Sequence, residues 1–540
     1  MNVAAAMVGR LEDHGVDRCF CLPGESYLEM LNALRDSTID TVVARQEGGA
    51  AIMAEADAKL TGKVGICFVT RGPGAANASA GVHIAQQDST PLILFVGQVA
   101  SAMIGRDSFQ EVDFDAFFGG MANAVLHLRE DTDPFRLVDR AVTAAQSDRP
   151  GPVVVVLPED LQHRGVVIEP PPSIETVSDP INTTSLVDLL TYARRPIVLA
   201  GGGGWCAEDV AALERFAEIW DVPVSVTFRR QHLFNHDHRS YAGDCGIGIN
   251  PSLRARIEDA DLVVVMGSRF SEVPSQSFTL LENGQPDQKL VHIHASEVGR
   301  FPQADVIIGS HPSTVLTQLA RLNPEVDRGT WTLDAHQDYL RWSDPPSIPG
   351  DVQMGVLIKQ LRARLADEAI VCNGAGNYAT WVHRFFRFRN HGSQLAPTSG
   401  SMGYGLPAAI AAKMRYPDRE VVCLAGDGCL QMTIQEFGTA VQYCANVVVI
   451  VIDNGMYGTI RMHQERNFPG RVHATDIINP NFKALAEAYG GFGIRVDSTE
   501  EFAEALHLAL NAAKPALIHV RLDPEAITPD RRLSELARVS

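Results

Sequence analysis

The chain has 540 residues, of which 45% are hydrophobic and 21% are charged. At roughly 150 residues per domain, this length predicts three or four globular domains. The formal net charge of −19 argues against nucleic acid or an anionic membrane as a partner, because phosphate groups repel a surface with this charge.

The N-terminus and the cysteines indicate a cytoplasmic protein. The chain meets Glu12 and Asp13 before any long apolar region forms, a pattern typical of a helix rather than a signal peptide. No apolar run reaches the roughly 18 residues that a transmembrane helix needs. The nine cysteines are scattered without zinc-binding spacing, as is usual for thiols in a reducing compartment.

Three blocks of apolar strands alternating with amphipathic helices predict an α/β protein with three parallel-sheet domains. The first domain is predicted at residues 1–168, the central domain at 185–325 and the third domain at 351–525. Polar segments rich in proline are predicted to link these domains, at Glu169–Ser173 with Ser178–Thr184, and at Ser343–Gly350.

The elements follow from the apolar runs and their spacing. In chain order, the predicted strands are Thr41–Ala44, Val64–Thr70, Pro91–Val96, Val153–Leu157, Pro196–Ala200, Val222–Thr227, Asp261–Met266, Leu290–His294, Ala369–Cys372, Glu420–Ala425, Asn446–Ile452 and Ala516–Arg521. Helices are predicted at Glu25–Asp36, Gly49–Thr61 and Gln431–Tyr443.

Two strand ends in the third domain carry the main functional pattern. One strand runs into Gly426-Asp427-Gly428, and the next strand runs into Asp453-Asn454-Gly455. With a crossover helix between them, Asp427 and Asn454 are expected at neighbouring carboxyl ends, where open α/β sheets bind ligands. Mg²⁺ prefers such carboxylate and amide oxygens together with ligand phosphates. The two glycines let the backbone approach the phosphates, and the helix that follows offers N–H donors.

This pattern resembles the thiamine diphosphate (ThDP)-dependent enzymes of the acetolactate synthase and pyruvate decarboxylase type. The resemblance extends over essentially the whole chain, in the order of pyrimidine-binding, central and diphosphate-binding domains. It implies that Mg²⁺ is bound by Asp427, Asn454 and the backbone carbonyl of Met456, and that Asn377 helps to hold the diphosphate. Further cofactor contacts are implied at Gly24, Gly400, Met402, Gly426, Gly428, Cys429, Met456 and Tyr457.

Glu47 is the predicted activating carboxylate. It lies between a strand end and a helix start, in the stretch Arg45-Gln-Glu-Gly-Gly-Ala. An acidic residue in the first turn of a helix is also favoured by the helix dipole alone. The family gives this glutamate a hydrogen bond to the pyrimidine ring of ThDP, which promotes removal of a proton from the thiazolium carbon. Because the glutamate and the diphosphate come from different subunits in the family, the resemblance implies a homodimer or homotetramer with active sites at the subunit interface.

The resemblance also implies the substrate side of the site. Met402 matches an apolar residue that wedges between the two cofactor rings, and the carbonyl of Gly400 matches an acceptor for the pyrimidine amino group. Ile460 matches an apolar residue that faces the reactive carbon. Gln110, in Phe109-Gln-Glu, is the side-chain candidate on the wall from the partner subunit, to which Leu22-Pro-Gly24 also belongs.

Some positions depart from the family pattern. The acidic strand end that grips FAD in many acetolactate synthases is replaced by His292-Ile-His-Ala-Ser, and Val273 stands where an arginine is expected, so the sequence gives little support for FAD. Arg461 occupies the position of the glutamate that protonates the intermediate in simple decarboxylases. A guanidinium stays protonated near neutral pH, so Arg461 is instead predicted to hold a substrate carboxylate.

The sequence therefore predicts a ThDP- and Mg²⁺-dependent enzyme that acts on a 2-oxo acid by decarboxylation with carboligation, as acetolactate synthases do. Three alternatives remain open: a 2-oxo acid decarboxylase that releases an aldehyde, a lyase for 2-hydroxyacyl thioesters, and a non-catalytic regulatory subunit with this fold. The joint presence of Glu47, Asp427 and Asn454 disfavours the regulatory subunit, which has no need of Glu47.

Overall fold

The computed structural model of the protein describes residues 1–166, 181–282, 286–296 and 304–536. The chain forms two compact units. The first unit contains Met1–Ser178, Pro397–Asp418 and Thr433–Asn446, and the second contains Asp179–Ala396, Arg419–Met432 and Val447–Ser540.

The first domain is built on a six-stranded parallel sheet. Its strands are β1 Arg18–Cys21, β2 Asp40–Val43, β3 Gly65–Val69, β4 Leu92–Gln98, β5 Ala124–His127 and β6 Pro152–Pro158, in the order β2-β1-β3-β4-β6-β5. Its helices are α1 Val3–Asp13, α2 Leu28–Arg35, α3 Glu47–Thr61, α4 Gly72–Asp88, α5 Phe114–Phe118 and α6 Pro134–Ala145. Every residue of β3, β4 and β6 is buried, as expected for parallel strands covered on both faces.

The central domain has the same architecture. Its strands are β7 Pro196–Ala200, β8 Val224–Thr227, β9 Tyr241–Cys245, β10 Leu262–Met266, β11 Lys289–Ile293 and β12 Val306–Ile308, in the order β12-β11-β10-β7-β8-β9. Its helices are α7 Thr184–Tyr192, α8 Ala207–Ile219, α9 Pro251–Asp259, α10 Pro312–Leu319 and α11 Trp331–Trp342. Alternate residues of β7 enter two separate apolar cores, because successive strand side chains point to opposite faces of the sheet.

The third domain contains the remaining parallel sheet and a two-stranded hairpin. Its strands are β13 Ile370–Asn373, β14 Gln394–Leu395, β15 Val421–Gly426, β16 Val448–Asp453, β17 Phe492–Val496 and β18 Ala516–Arg521, in the order β14-β13-β15-β16-β18-β17, and β19 Ala526–Thr528 pairs with β20 Arg531–Arg532. Its helices are α12 Met354–Arg364, α13 Tyr378–Phe385, α14 Gly405–Arg415, α15 Asp427–Gln431, α16 Glu436–Gln442, α17 Gly458–Asn467, α18 Phe482–Ala488, α19 Thr499–Leu510 and α20 Leu533–Leu536.

Two helices of this region, α14 and α16, belong to the first unit. There α14 packs against α3, whose residues 47–58 are all buried. The arginine at the end of α14 fixes this contact, since Arg415 lies 2.7 Å from the carboxylate of Asp57. The start of α3, where Glu47 lies, is therefore held in a well-packed part of the unit.

The predicted fold, with three parallel α/β domains, is confirmed. Each predicted strand corresponds to an observed strand whose ends differ by two residues or fewer. The missed strands are short or carry polar residues: β1, β5, β9, β12, β14, β17, β19 and β20. Among the helices, α1 forms as expected, and a short 3₁₀ segment at Glu25–Tyr27 precedes α2.

One helix prediction is wrong. Gln431–Tyr443 is not a single helix, because α15 already ends at Gln431 and α16 starts at Glu436. Between them the backbone makes tighter turns, in which the N–H of Glu436 donates to the carbonyl of Thr433. The hydroxyl of Thr433 in turn donates to the carbonyl of Gly403 at 2.8 Å, a contact made outside the helix.

The two predicted linkers differ in what the structure describes. Ser343–Gly350 lies between α11 and α12 and contains no helix or strand. The other linker, at Glu169–Ser173 and Ser178–Thr184, lies outside the described residues up to position 180, and α7 begins at Thr184. In the part of the chain that the structure describes, no helix has both the length and the apolar character needed to cross a bilayer.

Candidate functional site

The residues predicted from the sequence divide between the two units. Gly24, Glu47, Gln110, Gly400 and Met402 belong to the first unit. The second unit contains Asn377, Gly426, Asp427, Gly428, Cys429, Asn454, Met456, Tyr457, Ile460 and Arg461.

In the second unit, the ends of β15 and β16 lie side by side. The two strands are parallel neighbours in register, Asp427 directly follows β15, and Asn454 directly follows β16. The backbone N–H of Gly455 donates to Oδ2 of Asp427 at 3.0 Å, which joins the two strand ends. Asn454 turns its own amide oxygen toward the N–H of Met456 at 3.3 Å.

The carboxylate of Asp427 is buried and hydrogen-bonded by neutral donors. Oδ1 accepts from the N–H of Gly428 at 2.9 Å, and Oδ2 accepts from Gly455 and from the amide of Asn479 at 2.7 Å. A carboxylate offers about four lone pairs, so Oδ1 retains one. Burial raises the pKa of Asp427 from its usual value, against the lowering effect of these hydrogen bonds.

Asp453, which precedes Asn454, has a different environment. Burial alone would raise its pKa, but hydrogen bonds from His519 and Asn479 and the charge of Arg521 lower the pKa of Asp453 to about 2. His519 Nε2 lies 2.7 Å from Oδ2 of Asp453. The two adjacent acids therefore differ, since only Asp453 is paired with basic side chains.

Asn479 joins these two acids, and the sequence analysis missed it. Its side-chain nitrogen donates to Asp427 Oδ2 at 2.7 Å and to Asp453 Oδ1 at 2.8 Å. Its side-chain oxygen accepts from Gln431 Nε2 at 2.9 Å. Asn479 is followed by Pro480 and Asn481, which signal a turn and a helix start but not a contact with residues 26 and 52 positions earlier.

The backbone beside Asn479 also holds the loop after β16. The N–H of Tyr457 donates to the carbonyl of Thr475 at 2.8 Å, and the N–H of Ile477 donates to the carbonyl of Gly455 at 2.9 Å. Met456 forms an antiparallel bridge with Asp476 between these two bonds. The residues on both sides of Met456 are therefore fixed by the segment 475–477.

The glycines around Asp427 are required by close approaches. A Cβ on Gly428 would lie 2.6 Å from a ring carbon of Tyr457, and one on Gly426 would lie 3.0 Å from a ring carbon of Tyr378. The hydroxyl of Tyr378 lies 3.4 Å from the sulfur of Cys429, which is buried. Both tyrosines thus pack on the turn that carries Asp427.

The remaining predicted residues of this unit lie on the loop after β13 and on α17. Asn377 accepts from the hydroxyl of Thr459 at 2.8 Å and donates to the carbonyl of Ile527 at 3.1 Å. Ile460 is 55% exposed. Arg461 is turned along its own helix, where its Nε donates to Glu465 at 3.0 Å.

In the first unit, Glu47 is the first residue of α3 and is buried. Its Oε2 accepts from the side chain of Asn77 at 2.9 Å. Gln46 caps the helix by accepting from the N–H of Gly49 at 3.1 Å. Asn77 lies in the first turns of α4, at the end of the segment Thr70–Asn77 that follows β3, so this segment positions the glutamate.

A second buried acid supports the same helix start. Glu436 accepts from the N–H of Arg45 at 3.2 and 3.1 Å, through its two oxygens, and burial raises its pKa. A Cβ on Gly49 would lie 2.4 Å from the Glu436 carboxylate, so this glycine is needed for the contact. The sequence analysis missed Glu436, which is 389 positions from Glu47 in the chain.

The same segment, Thr70–Asn77, also connects Gly24 and Gln110 to Glu47. A Cβ on Gly24 would lie 2.5 Å from the Cβ of Thr70. The carbonyl of Gln110 accepts from the N–H of Gly72 at 3.0 Å, and Gln110 itself has a left-handed backbone with φ of 63°. Gly24, Glu47 and Gln110 are therefore brought together around one segment.

The loop with Gly400 and Met402 is anchored at both ends. The N–H of Thr398 donates to the carboxylate of Asp88 at 3.2 Å, and the carbonyl of Gly403 accepts from Thr433. Gly400 has a φ of 70° and is exposed, so the turn leaves its backbone accessible.

In the described part of the chain, side chains do not form a metal site by themselves. Among the described residues, no three or more His, Cys, Asp and Glu side chains are grouped so that they could hold a metal ion. In the central domain, His292 is buried and its Nε2 lies 2.7 Å from the carbonyl of Ser268, so this histidine has a backbone partner.

Comparison with known proteins covers all three domains. The chain matches the thiamine pyrophosphate enzyme N-terminal TPP binding domain over residues 1–117, the central domain over 183–319 and the C-terminal TPP binding domain over 374–520. It is 32% identical to an acetolactate synthase large subunit of Parasynechococcus marenigrum, over 96% of this chain and 87% of that protein. It is 30% identical to the acetolactate synthase isozyme 2 large subunit of Escherichia coli, over 97% and 96%.

Proposed function

The chain belongs to the thiamine pyrophosphate enzyme family, and we propose that it is a ThDP- and Mg²⁺-dependent enzyme that decarboxylates a 2-oxo acid and transfers the acyl group to an acceptor. The observation that carries this proposal is that Asp427 and Asn454 lie at two neighbouring strand ends. The carboxylate of Asp427 is buried there and has a spare lone pair. The similarity to acetolactate synthases supports the same reaction class.

The residues at these strand ends fit a magnesium diphosphate group. Among the described residues, Asp427 has no basic partner, so its buried charge calls for a cation. Asp427 Oδ1, the Asn454 side chain and the Met456 carbonyl would supply oxygen ligands, and the diphosphate would complete the coordination that Mg²⁺ requires. Asn377 and the turn Gly426–Cys429 would hold the diphosphate, with Tyr457 packed against that turn.

Bound ThDP would supply a nucleophilic carbon and an electron sink for decarboxylation. We assign Glu47 to hold the pyrimidine ring through a hydrogen bond and to exchange a proton with it. The Asn77 contact and the Glu436 support fix the position of Glu47, which is what a proton-transferring group needs.

The substrate side is proposed from Met402, Gly400, Gln110, Ile460 and Arg461. The exposed Ile460 would exclude water beside the reacting carbon, and Met402 with the Gly400 carbonyl would set the orientation of the cofactor rings. Arg461 donates through Nε to Glu465, and its Nη1 lies 3.5 Å from the exposed Asp476. A substrate carboxylate would bind to the Nη groups in place of Asp476. Because a guanidinium does not donate its proton near neutral pH, transfer to an acceptor is favoured over aldehyde release.

We further propose a cytoplasmic homodimer or homotetramer in which Glu47 of one copy serves the Asp427 region of the other. Exposed apolar side chains on and near α17 support this assembly. No residue of α17 is buried, and the exposed fractions of Ile460, Phe468 and Ile478 are 55%, 61% and 101%. Exposed apolar side chains that lie together commonly mark subunit interfaces.

The reaction is tested by incubating the protein with ThDP, Mg²⁺ and pairs of 2-oxo acids and identifying the products by mass spectrometry. Glu47→Gln should cut turnover by about 10²–10⁴-fold, the range for a positioned acid or base. The matched control is Glu29→Gln, which also neutralises a glutamate in the first turn of a helix and should keep wild-type turnover. Formation of no ligation product by the wild type would contradict the proposed function.

A complementation experiment tests the shared site. Glu47→Gln and Asp427→Ala are each expected to be inactive, and the two variants are mixed after dissociation. If each site uses Glu47 of one copy and Asp427 of the other, mixed dimers have one intact site, and the mixture should regain about a quarter of the wild-type rate. No recovery in a mixture that has exchanged subunits would place both residues of a site in one copy.

A further inference from the structure

The amide of Asn479 lies between two buried carboxylates at the ends of neighbouring strands. Asp427 and Asp453 are 3% and 0% exposed, and both accept from the same Asn479 nitrogen, at 2.7 and 2.8 Å. An amide NH₂ group has two protons, so Asn479 can give one to each acid. The bridge offsets the repulsion between two negative charges in a region of low dielectric.

The orientation of Asn479 is fixed from its other end. Gln431 donates to the Asn479 oxygen at 2.9 Å, so the nitrogen is the atom directed at the acids. On the far side, Asp453 is held by His519 and Arg521. This chain of bonds restrains the Asp427 carboxylate from the side of Oδ2 and leaves a lone pair on Oδ1.

We propose that Asn479 is a positioning residue for the divalent-cation and diphosphate site, which it serves by holding the Asp427 carboxylate with Oδ1 directed at the cation. The inference rests on the proposed function. Asn479 is not assigned to contact the cation or the cofactor, and it acts through Asp427. Residues that orient a metal ligand in this way typically change metal affinity by about 10–100-fold when they are removed.

The neighbouring backbone gives the proposal a second support. Segment 475–477 bonds to the backbone on both sides of Met456, and the Asn479 side chain lies two residues beyond it. One short stretch thus restrains both Asp427 and the loop that carries Asn454 and Met456. Loss of the Asn479 amide should therefore affect cation binding more than it affects the fold.

The test measures Mg²⁺ and ThDP binding to the full-length protein by titration calorimetry, with Mg²⁺ varied at saturating ThDP. Asn479→Ala should raise the half-saturating Mg²⁺ concentration about 10–100-fold. Gln431 is exposed, so Gln431→Ala should fold normally, and it should raise the half-saturating concentration several-fold by releasing the Asn479 side chain.

The matched control is Asn481→Ala, two residues away. Asn481 caps α18 by accepting from the N–H of Ala484 at 3.2 Å, so this variant should lower the Tm and leave the Mg²⁺ dependence unchanged. Binding within twofold of wild type in Asn479→Ala and Gln431→Ala would overturn the inference. A wild-type protein that binds neither Mg²⁺ nor ThDP would instead overturn the proposed function, and the inference with it.

Discussion

Lys59 provides a test of how the first unit tolerates buried charge. Its Nζ lies 2.9 Å from Glu55 Oε1 and 2.9 Å from Asp88 Oδ2, and both acidic side chains are fully buried. Tyr404 donates to the other oxygen of Glu55 at 2.8 Å. One ammonium group is therefore shared by two carboxylates that have no access to water.

Lys59→Met should destabilise the first unit by about 3–5 kcal/mol, because removing one partner of a buried pair leaves an uncompensated charge. Lys63→Met is the matched control, with the same charge change four residues along the chain. Lys63 pairs with Asp17 at 2.8 Å, but these two side chains are 48% and 47% exposed. Such an exposed pair contributes about 0–1 kcal/mol.

The stability that Lys59→Met loses, measured as free energy of unfolding, should also depend on pH. Burial raises the pKa of Glu55, and the charge of Lys59 opposes that increase. A carboxyl group with a raised folded-state pKa contributes stability that is complete below its unfolded pKa of about 4.3 and is lost as the pH rises through the folded value. Without Lys59 that loss is larger, so the deficit should be greater at pH 8 than at pH 5.

The assay is urea unfolding of wild type, Lys59→Met and Lys63→Met, followed by circular dichroism at both pH values. The free energies of unfolding are compared for the transition whose midpoint Lys59→Met shifts. Adding Glu55→Gln to Lys59→Met should restore part of the lost stability, because it removes one of the two stranded charges. The reasoning is refuted if Lys59→Met and Lys63→Met have the same stability, or if the deficit does not change with pH.

Two further substitutions test the packing at α3 and the role of α17. Gly49→Ala should destabilise by about 1–3 kcal/mol through overpacking against Glu436, whereas Gly9→Ala, with no atom within 4 Å of the added carbon, should be neutral or stabilising in thermal unfolding. Arg461→Ala should raise the KM for an anionic substrate about tenfold, as for a lost hydrogen bond to a charged group. The Glu465→Gln control should leave the KM near wild type, and an unchanged KM in Arg461→Ala would remove this residue from the substrate site.

The sequence predicted the buried strands because their apolar runs are continuous. The strands at Pro196–Ala200 and Ala516–Arg521 were predicted to the residue. By contrast, β9 reads Tyr-Ala-Gly-Asp-Cys and β14 has two residues. Both lie at the edge of their sheets, where one side is unpaired and the apolar signal is weak.

In the candidate site, too, some residues could be predicted from the sequence and others could not. Asp427, Asn454 and Glu47 stand in short local motifs, so their types and spacing could be read directly. Asn479 and Glu436 act through contacts across 52 and 391 positions, and no local pattern encodes a pairing of that length. Sequence reasoning thus found the groups expected to meet the ligand and missed those that hold these groups in place.

Three buried acids have basic side chains as partners, and they differ in this from Asp427. Glu55 and Asp88 share the internal cation of Lys59, and Asp453 pairs with His519 and Arg521. Each of these acids therefore has a basic partner within the protein. Among the described residues, Asp427 accepts only from backbone and amide N–H groups. These donors orient the carboxylate, but they carry no positive charge to balance it. A bound divalent cation would supply the missing compensation, and the lone pair left on Oδ1 gives that cation a place to bind.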